Sequence, residues 1–330
     1  MRTLLTLLTL LIGSPGAEPA ATASASSQTV ILVVGAAGTP EYAPQFARLA
    51  DLWKQACVKG NAEFIAIGQA PNESATDRER LRDTLARQPQ QTTAPLWLVL
   101  IGHGTFDGQI ARFNLRGPDV SANDLAEWLK PMNRPVAIIN TASASAPFLK
   151  ELSAPGRIVI TATKSGFEQN YARFGQYLAE AIADPQADLD KDGQTSLLEA
   201  FLTASHAVGA FYTGAGRLAT EHALLDDNGD ALGTPAEWFR GIRPVQKARD
   251  DVSLDGYRAH QFHLVDSPTE AAMPAELRTR RDQLEIQIME LRDSRAKYSE
   301  VDYFSKLEPL VREIARIYEQ TDPGSRIDKN

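Results

Sequence analysis

The fold is decided by two apolar segments, Leu96-Trp-Leu-Val-Leu-Ile101 and Val136-Ala-Ile-Ile139, and by the polar residues that follow them. The first segment leads into Gly-His103-Gly and the second into Asn-Thr-Ala-Ser143. Short, uninterrupted apolar runs are typical of strands that are buried on both faces of a parallel sheet. Ligands bind at the carboxyl ends of such strands, so adjacent strands would bring the His103 imidazole and the Ser143 hydroxyl side by side.

The rest of this region alternates between strand and helix patterns. Gly35 and Gly38 follow the first strand without the spacing of a phosphate-binding loop, so they predict a strand-to-helix turn. Ser121, with Asp124 three residues later, is a helix start signal. The alternation predicts a mostly parallel sheet with helices on both faces, an α/β/α sandwich. Strands are predicted at 29–34, 62–67 and 157–161, a hairpin at 105–116, and helices at 43–58, 76–87, 121–129 and 172–182.

The two strand ends resemble the catalytic core of the caspase–legumain superfamily of cysteine peptidases. In that superfamily one strand ends in His-Gly and the next in Ala-Cys. Here His103-Gly104 matches the first motif, whereas Ala142-Ser143 carries serine in place of the catalytic thiol. The resemblance implies a caspase–haemoglobinase-like α/β/α sandwich over residues 29–245 and a peptide or protein partner. It also implies a substrate pocket that includes Glu168 and Asn170.

The serine at position 143 leaves three interpretations of the activity open. A thiol ionises readily beside an imidazole, whereas a hydroxyl is far less acidic and needs a well-oriented base, usually held by a third group. We therefore favour an inactive peptidase homologue. The alternatives are an active endopeptidase or hydrolase that uses Ser143 and His103, and a non-enzymatic calcium-binding scaffold in which residues 140–145 only pack. Residues 142–146 lack the Gly-x-Ser-x-Gly pattern of an α/β-hydrolase.

A calcium site is predicted in the EF-hand-type sequence Asp188-Leu-Asp-Lys-Asp-Gly-Gln-Thr-Ser-Leu-Leu-Glu199. Oxygen ligands at positions one, three, five, seven, nine and twelve of such a loop suit Ca²⁺, a hard cation. Thr195 departs from the pattern, because position eight usually carries a bulky aliphatic residue. The alternative is a solvated acidic loop that caps the helix beginning near Ser196. The predicted ligands are Asp188, Asp190, Asp192, Gln194 (through its backbone carbonyl), Ser196 and Glu199.

A second acidic loop, Asp226-Asp-Asn-Gly-Asp230, also resembles a loop of bacterial legumain-like proteins. Ala231 takes the place of the glycine expected at position six of a calcium loop. Calcium binding and a purely structural role therefore stay equally open for this loop. His222, just before it, is predicted to be a surface histidine.

Residues 1–25 have the pattern of a signal peptide. Arg2 precedes an apolar run from Leu4 to Ile12, and small residues with Ala-x-Ala sites follow up to Ala25. The run is far shorter than the ~20 residues that a membrane span needs, so we expect no stable membrane span. Cleavage and export to the periplasm or the medium are expected instead. The single cysteine, Cys57, lies on the apolar face of a predicted helix and is expected to be a buried structural thiol.

The charge balance and the segment at 272–321 bear on the partners of this protein. A formal net charge of −8 argues against a nucleic-acid partner, which would need a basic face. Over residues 272–321, apolar residues at helical spacing among many charges predict an appendage of two helices, and the apolar pattern continues after Val301-Asp302. This appendage either packs on the α/β domain or mediates self-association.

Overall fold

The structure, a computed structural model, describes residues 28–70 and 74–321, so the predicted signal peptide lies outside the described residues. The strands are β1 (Thr29–Val34), β2 (Glu63–Ile67), β3 (Leu96–Ile101), β4 (Gly104–Phe106), β5 (Ala111–Phe113), β6 (Val120–Ser121), β7 (Val136–Asn140), β8 (Arg157–Thr161), β9 (Leu224–Asp226), β10 (Thr234–Pro235), β11 (Phe239–Arg240) and β12 (Arg243–Pro244). The α-helices are α1 (Tyr42–Lys59), α2 (Asp77–Arg87), α3 (Ala122–Leu129), α4 (Ala146–Leu152), α5 (Phe174–Ala181), α6 (Leu197–Gly214), α7 (Tyr257–His260), α8 (Pro268–Ala272), α9 (Ala275–Asp293) and α10 (Glu300–Thr321).

The main sheet has seven strands in the order β10-β9-β8-β7-β3-β1-β2. Strands β2, β1, β3, β7 and β8 are parallel, and β9 runs antiparallel to β8 and β10 at one edge. Val34 pairs with Ile101 and Leu100 with Asn140, so β1, β3 and β7 end at the same edge of the sheet. The predicted mostly parallel sheet is confirmed.

Helices cover both faces of this sheet, because successive strand residues point to opposite sides. Trp97 and Val99 belong to the core that includes α1, α5 and α6. Leu98 and Leu100 belong to the core on the other face, with α2, α3 and α4. Full burial of such a side chain stabilises the fold by roughly 1.5–3 kcal/mol. The predicted α/β/α layering is confirmed.

A small second sheet in the order β4-β5-β6 follows directly after β3 and lies beside the end of the main sheet. It contains the predicted hairpin, with Thr105 paired to Arg112. The helix start at Ser121 is also confirmed: the Ser121 hydroxyl accepts the Asp124 N–H at 3.2 Å, and the Asp124 carboxylate accepts the Ser121 N–H at 2.9 Å. This capping box fixes the exit of the chain from the small sheet.

The appendage consists of α9 and α10, which share a small apolar core with α8. Helix α10 begins at Glu300. The Ser299 hydroxyl accepts the Asp302 N–H at 3.1 Å and caps the helix. The Tyr257 hydroxyl donates to the Asp293 carboxylate at 2.8 Å, which ties α9 to α7. Within the described ranges, no helix has both the length and the apolar character of a membrane span.

Candidate functional site

His103 follows β3, and its ring lies among aromatic side chains. The ring centroid is 4.6 Å from that of Tyr42, 5.3 Å from Phe46 and 6.0 Å from Tyr171. The Nε2 atom lies 3.2 Å from the carbonyl oxygen of Ala37, in the turn between β1 and α1. A carbonyl oxygen only accepts hydrogen bonds, so Nε2 carries the proton and donates a hydrogen bond to the Ala37 carbonyl. In the neutral ring this leaves Nδ1 as the acceptor.

Ser143 follows β7, and its hydroxyl is held by the backbone of Gly104, the residue after His103. The Ser143 Oγ donates to the Gly104 carbonyl at 3.2 Å and accepts the Gly104 N–H at 3.2 Å. Gly104 lies on β4, the edge strand of the small sheet, so these two bonds replace the partner that an edge strand lacks. Ser143 is only 3% exposed. Its proton therefore points at a carbonyl oxygen rather than at a base.

The structure brings Ser143 next to the backbone that carries His103, but it gives the two side chains separate partners. Both residues are described, and no hydrogen bond among the described residues joins them. Asp107, the carboxylate nearest to His103 in sequence, accepts the Ile110 N–H at 2.8 Å and the Arg112 guanidinium at 2.8 Å. These bonds hold the pKa of Asp107 below its usual range. Asp107 therefore stabilises the hairpin and does not orient the imidazole.

The turn after β7 is tightly constrained. Ala144 has a φ of 53°, in the left-handed region that costs a non-glycine residue roughly 1–2 kcal/mol. The Ala144 N–H donates to the Glu168 carbonyl at 2.8 Å. On the other side, a Cβ at Gly104 would lie 2.2 Å from the Ser143 carbonyl oxygen, so only glycine fits there. Together these contacts fix the position of Ser143.

Of the two predicted pocket residues, Glu168 lies at the site and its side chain is already engaged. Its carboxylate binds the Nδ1 atom of His222 at 2.6 Å and the Lys164 N–H at 2.9 Å. Since the Glu168 carbonyl binds Ala144, this residue braces the segment beside Ser143. Asn170 is exposed on the same segment. The His222 side chain, predicted to lie at the surface, is 35% exposed and pairs with Glu168.

The predicted calcium loop brings three carboxylates together. One oxygen from each of Asp188, Asp190 and Asp192 lies within 4.8 Å of the other two. The pKa of Asp192 is raised by burial and then by its acidic neighbours, although hydrogen bonds from Gln194 oppose this. The Nε2 atom of His260, at the end of α7, lies 2.9 Å from an Asp190 oxygen. The oxygen-only donor set of the three carboxylates fits a hard cation such as Ca²⁺.

The remaining predicted ligands have structural contacts of their own. Ser196 caps α6, and one Glu199 oxygen accepts both the N–H and the hydroxyl of Ser196 at 2.8 Å. The other Glu199 oxygen accepts the N–H of Leu189 at 2.6 Å. The Gln194 side chain donates to Asp192 at 3.1 Å. Glu199 is therefore engaged in the helix cap, and bidentate binding of a cation would require it to release these groups.

The second acidic loop has the hydrogen-bond pattern of the first. Asp226 accepts the N–H groups of Gly229 at 3.0 Å and Ala231 at 2.9 Å, which are positions four and six of the loop. Asp188 makes the equivalent bonds in the first loop, to Lys191 and Gly193. Ala231 has a φ of 62° where glycine was expected. The loop thus reaches this conformation in spite of the alanine.

The chain was compared with known protein families, curated proteins and solved structures. No protein-family model and no curated protein matches this chain. Among solved structures, it is similar to the Drosophila initiator caspase Dronc, with 15% identity, a TM-score of 0.42, and coverage of 68% of this chain and 94% of Dronc. Caspase-1 from Spodoptera frugiperda has 9% identity and a TM-score of 0.40 over 61% of this chain and 86% of that one. Raptor from Chaetomium thermophilum has 12% identity and a TM-score of 0.34 over 47% and 17%. At these values, none of the three carries its activity over to this chain.

Sequence reasoning missed the groups that hold the two candidate catalytic side chains. Ala37 lies in the Gly35–Gly38 turn, which was predicted only as a connection between strand and helix. Tyr42 and Tyr171 come from the first turn of α1 and the segment before α5, and both ring centroids lie within 6.0 Å of that of His103. The sequence offered one indication: Tyr42 follows β1 and Tyr171 follows β8, two strands of the same sheet, so both reach the sheet edge where His103 lies.

Proposed function

We propose that this chain is an exported, inactive homologue of caspase–legumain peptidases, whose site binds a peptide or protein segment without cleaving it. The observation that carries this proposal is the double hydrogen bond between the Ser143 hydroxyl and Gly104, together with the bond from His103 to Ala37. A serine nucleophile must pass its proton to an oriented base as it attacks. Here the hydroxyl proton points to the Gly104 carbonyl, and no hydrogen bond among the described residues joins the hydroxyl to His103.

An active serine hydrolase is the alternative, and the contacts count against it. Attack by Ser143 would break both bonds to Gly104, each worth about 1 kcal/mol. No hydrogen bond among the described residues joins the imidazole to this hydroxyl, and the ring is held in place by its contacts with Tyr42 and Phe46. In such sites a carboxylate usually orients the ring, whereas here the Ala37 carbonyl binds Nε2 of His103. Asp107 is engaged elsewhere, as its bonds to Ile110 and Arg112 indicate.

Calcium binding is proposed for the loop at 188–199. Asp188, Asp190 and Asp192 would hold the ion, with the backbone carbonyl of Gln194 as a further ligand. The support is the convergence of the three carboxylates, which repel one another without a cation. A bound divalent ion would offset two of their three negative charges. Glu199 would join as a ligand only by leaving its contacts with Ser196 and Leu189.

The proposed loss of catalysis is tested with peptide substrates that carry Asn, Asp, Arg or Lys before the scissile bond. We expect the wild-type protein to show no turnover above that of Ser143→Ala. Ser143→Cys is the informative comparison, because it restores a thiol that ionises near an imidazole. Burial raises the pKa of the other thiol, Cys57, to about 12, so thiol chemistry can be assigned to position 143. Wild-type turnover that both Ser143→Ala and His103→Ala abolish would overturn the proposal.

A further inference from the structure

The hairpin formed by β11 and β12 sets two arginines side by side. Arg240 pairs with Arg243 across the hairpin, and the chain turns between them through Gly241 and Ile242. Directly opposed residues of an antiparallel pair have their Cβ atoms about 5 Å apart on the same face of the sheet. We call Arg240 and Arg243 the arginine pair. Like charges in this position destabilise a hairpin, so an anion that binds both would stabilise it.

The fold leaves the charge of the arginine pair without a counterion. Both residues are exposed. Within residues 28–70 and 74–321, no carboxylate lies within ion-pair distance of either guanidinium, and neither guanidinium makes a hydrogen bond. This includes Glu237, the nearest carboxylate along the chain. A Cβ at Gly241 would meet nothing within 4 Å, so the tip of the hairpin is open to an approaching ligand.

The other face of the hairpin anchors it to the α/β domain. Phe239 pairs with Pro244, at the next positions along the two strands. Pro244 is buried, and Phe239 packs on the core that includes α1, α5 and α6. A Cβ at Gly256 would lie 2.7 Å from the Phe239 ring, so this ring is closely held. Since successive strand residues point to opposite sides, the buried Phe239 and Pro244 turn the arginine pair towards solvent.

A third arginine adds positive charge near the hairpin. Burial and then Asp293 raise the pKa of Tyr257, whereas Arg292 and Arg243 oppose that rise, so both arginines lie near the Tyr257 hydroxyl. Arg292, at the end of α9, is exposed and has no ion pair with any described carboxylate. Asp293 offsets part of this charge and is the carboxylate that binds the Tyr257 hydroxyl. The three arginines therefore leave a net positive charge at this surface.

We propose that the arginine pair binds a phosphate monoester or inorganic phosphate. A guanidinium presents a planar fork of N–H donors that matches the oxygens of a carboxylate or a phosphate. A carboxylate has two oxygens and one charge, which a single guanidinium satisfies. A phosphate monoester has three free oxygens and a charge of about −1.5 to −2, enough for both arginines.

The phosphate group comes from a small soluble molecule or from a lipid headgroup that ends in a phosphate monoester. The net charge of −8 on the chain does not prevent its binding. At physiological ionic strength, exposed charges more than about 8 Å apart are largely screened, so the local cluster of arginines decides.

An NMR titration of the full protein with inorganic phosphate tests the site. We expect saturable shifts of the Gly241 and Ile242 amides in the millimolar range, because ion pairs at an exposed site are weak. Arg240→Gln and Arg243→Gln should each weaken binding about fivefold. Arg240→Lys should weaken it as well, because a lysine keeps the charge and loses the fork. Arg217→Gln is the matched control and should change nothing.

The control residue, Arg217, is an exposed arginine that follows α6 and has no ion pair with any described carboxylate. Acetate should give at least fivefold weaker binding than phosphate, on the order of one lost ion pair. No saturable shift with phosphate and no binding to the vesicles described below would overturn the proposal. Shifts that the double variant Arg240→Gln/Arg243→Gln retains, or equal binding of acetate, would overturn it too.

Vesicle flotation distinguishes the two sources of the phosphate group. Phosphatidylcholine vesicles that contain phosphatidic acid carry a phosphate monoester at their surface. Binding to these vesicles, but not to phosphatidylcholine alone, indicates a lipid headgroup if the double variant loses it. Saturable NMR shifts without vesicle binding indicate a soluble phosphate. Vesicle binding that the double variant keeps contradicts the lipid source.

Thermal unfolding of the double variant separates a binding role from a structural one. Because the arginine pair is repulsive without a ligand, the double variant should melt no lower than wild type in phosphate-free buffer. Phosphate should raise the melting temperature of wild type and leave that of the double variant unchanged. A double variant that melts lower than wild type without phosphate would show that the arginine pair stabilises the hairpin, which contradicts the proposal.

Discussion

Replacing Ser143 with alanine should destabilise the protein even though the residue is expected to have no catalytic role. The substitution removes the hydrogen bond to the Gly104 carbonyl and the one from the Gly104 N–H. A neutral hydrogen bond contributes about 1 kcal/mol net, and a buried group left without a partner costs roughly 1–3 kcal/mol. Gly104 is only part-buried, so water can satisfy some of the loss. We expect the free energy of unfolding to fall by about 2 kcal/mol.

Urea unfolding of wild type and Ser143→Ala, with equal slopes, measures this difference. Ser205→Ala is the matched control. The Ser205 hydroxyl donates to the Phe201 carbonyl at 2.7 Å within α6, where that carbonyl keeps its helical partner. Loss of the Ser205 hydroxyl should change the free energy of unfolding by no more than about 0.5 kcal/mol. If Ser143→Ala is as stable as wild type and as Ser205→Ala, the hydroxyl does not hold the edge strand and our account of Ser143 fails.

Three further predictions concern the loops. Calcium should raise the melting temperature by mass action. Asp192→Asn keeps the oxygen that accepts the Gln194 N–H but loses a charge, so it should reduce this shift, whereas Asp184→Asn should leave it unchanged. An unchanged melting temperature in wild type would contradict the calcium site. Burial and the nearby Asp227 raise the pKa of Asp255 to about 8. The folded state thus keeps a proton that the unfolded chain releases above about pH 4, so the free energy of unfolding falls between pH 4 and pH 8. Asp255→Asn should reduce that fall, measured by urea titrations at pH 5 and pH 8. An equal fall in both proteins would refute the raised pKa of Asp255. Ala144→Gly should raise the unfolding free energy by about 0.5 kcal/mol, because relief of the left-handed conformation outweighs the entropy of glycine; a loss of stability would show that the turn is not strained.

The sheet and its covering helices follow from the sequence because they depend on local patterns. The apolar run 96–101 could be buried only as a central strand, and the pair Ser121 and Asp124 marks a helix start by itself. The order of such elements then predicts parallel strands.

The site could be predicted only as far as the sheet edge on which it lies. The bond from His103 to Ala37 joins residues 66 positions apart, and the pair of His222 and Glu168 joins residues 54 apart. Such contacts depend on how turns from separate strands pack together, and no local pattern records that. The serine hydroxyl could not be assigned to Gly104 from sequence either, since a hydroxyl can donate to a backbone carbonyl as well as to a base. The serine at position 143 predicted the loss of thiol chemistry from the sequence, whereas the fold determined that Gly104 is the hydrogen-bond partner of its hydroxyl.

The most direct test of the central claim is whether Ser143 acts as a nucleophile. The measurement is the intact mass, followed by peptide mapping, of the purified protein after incubation with an excess of a fluorophosphonate, which captures activated serine hydroxyls. The account predicts no adduct on Ser143, because its hydroxyl donates a hydrogen bond to the Gly104 carbonyl and none to His103. A stoichiometric adduct on Ser143 that His103→Ala prevents would contradict it.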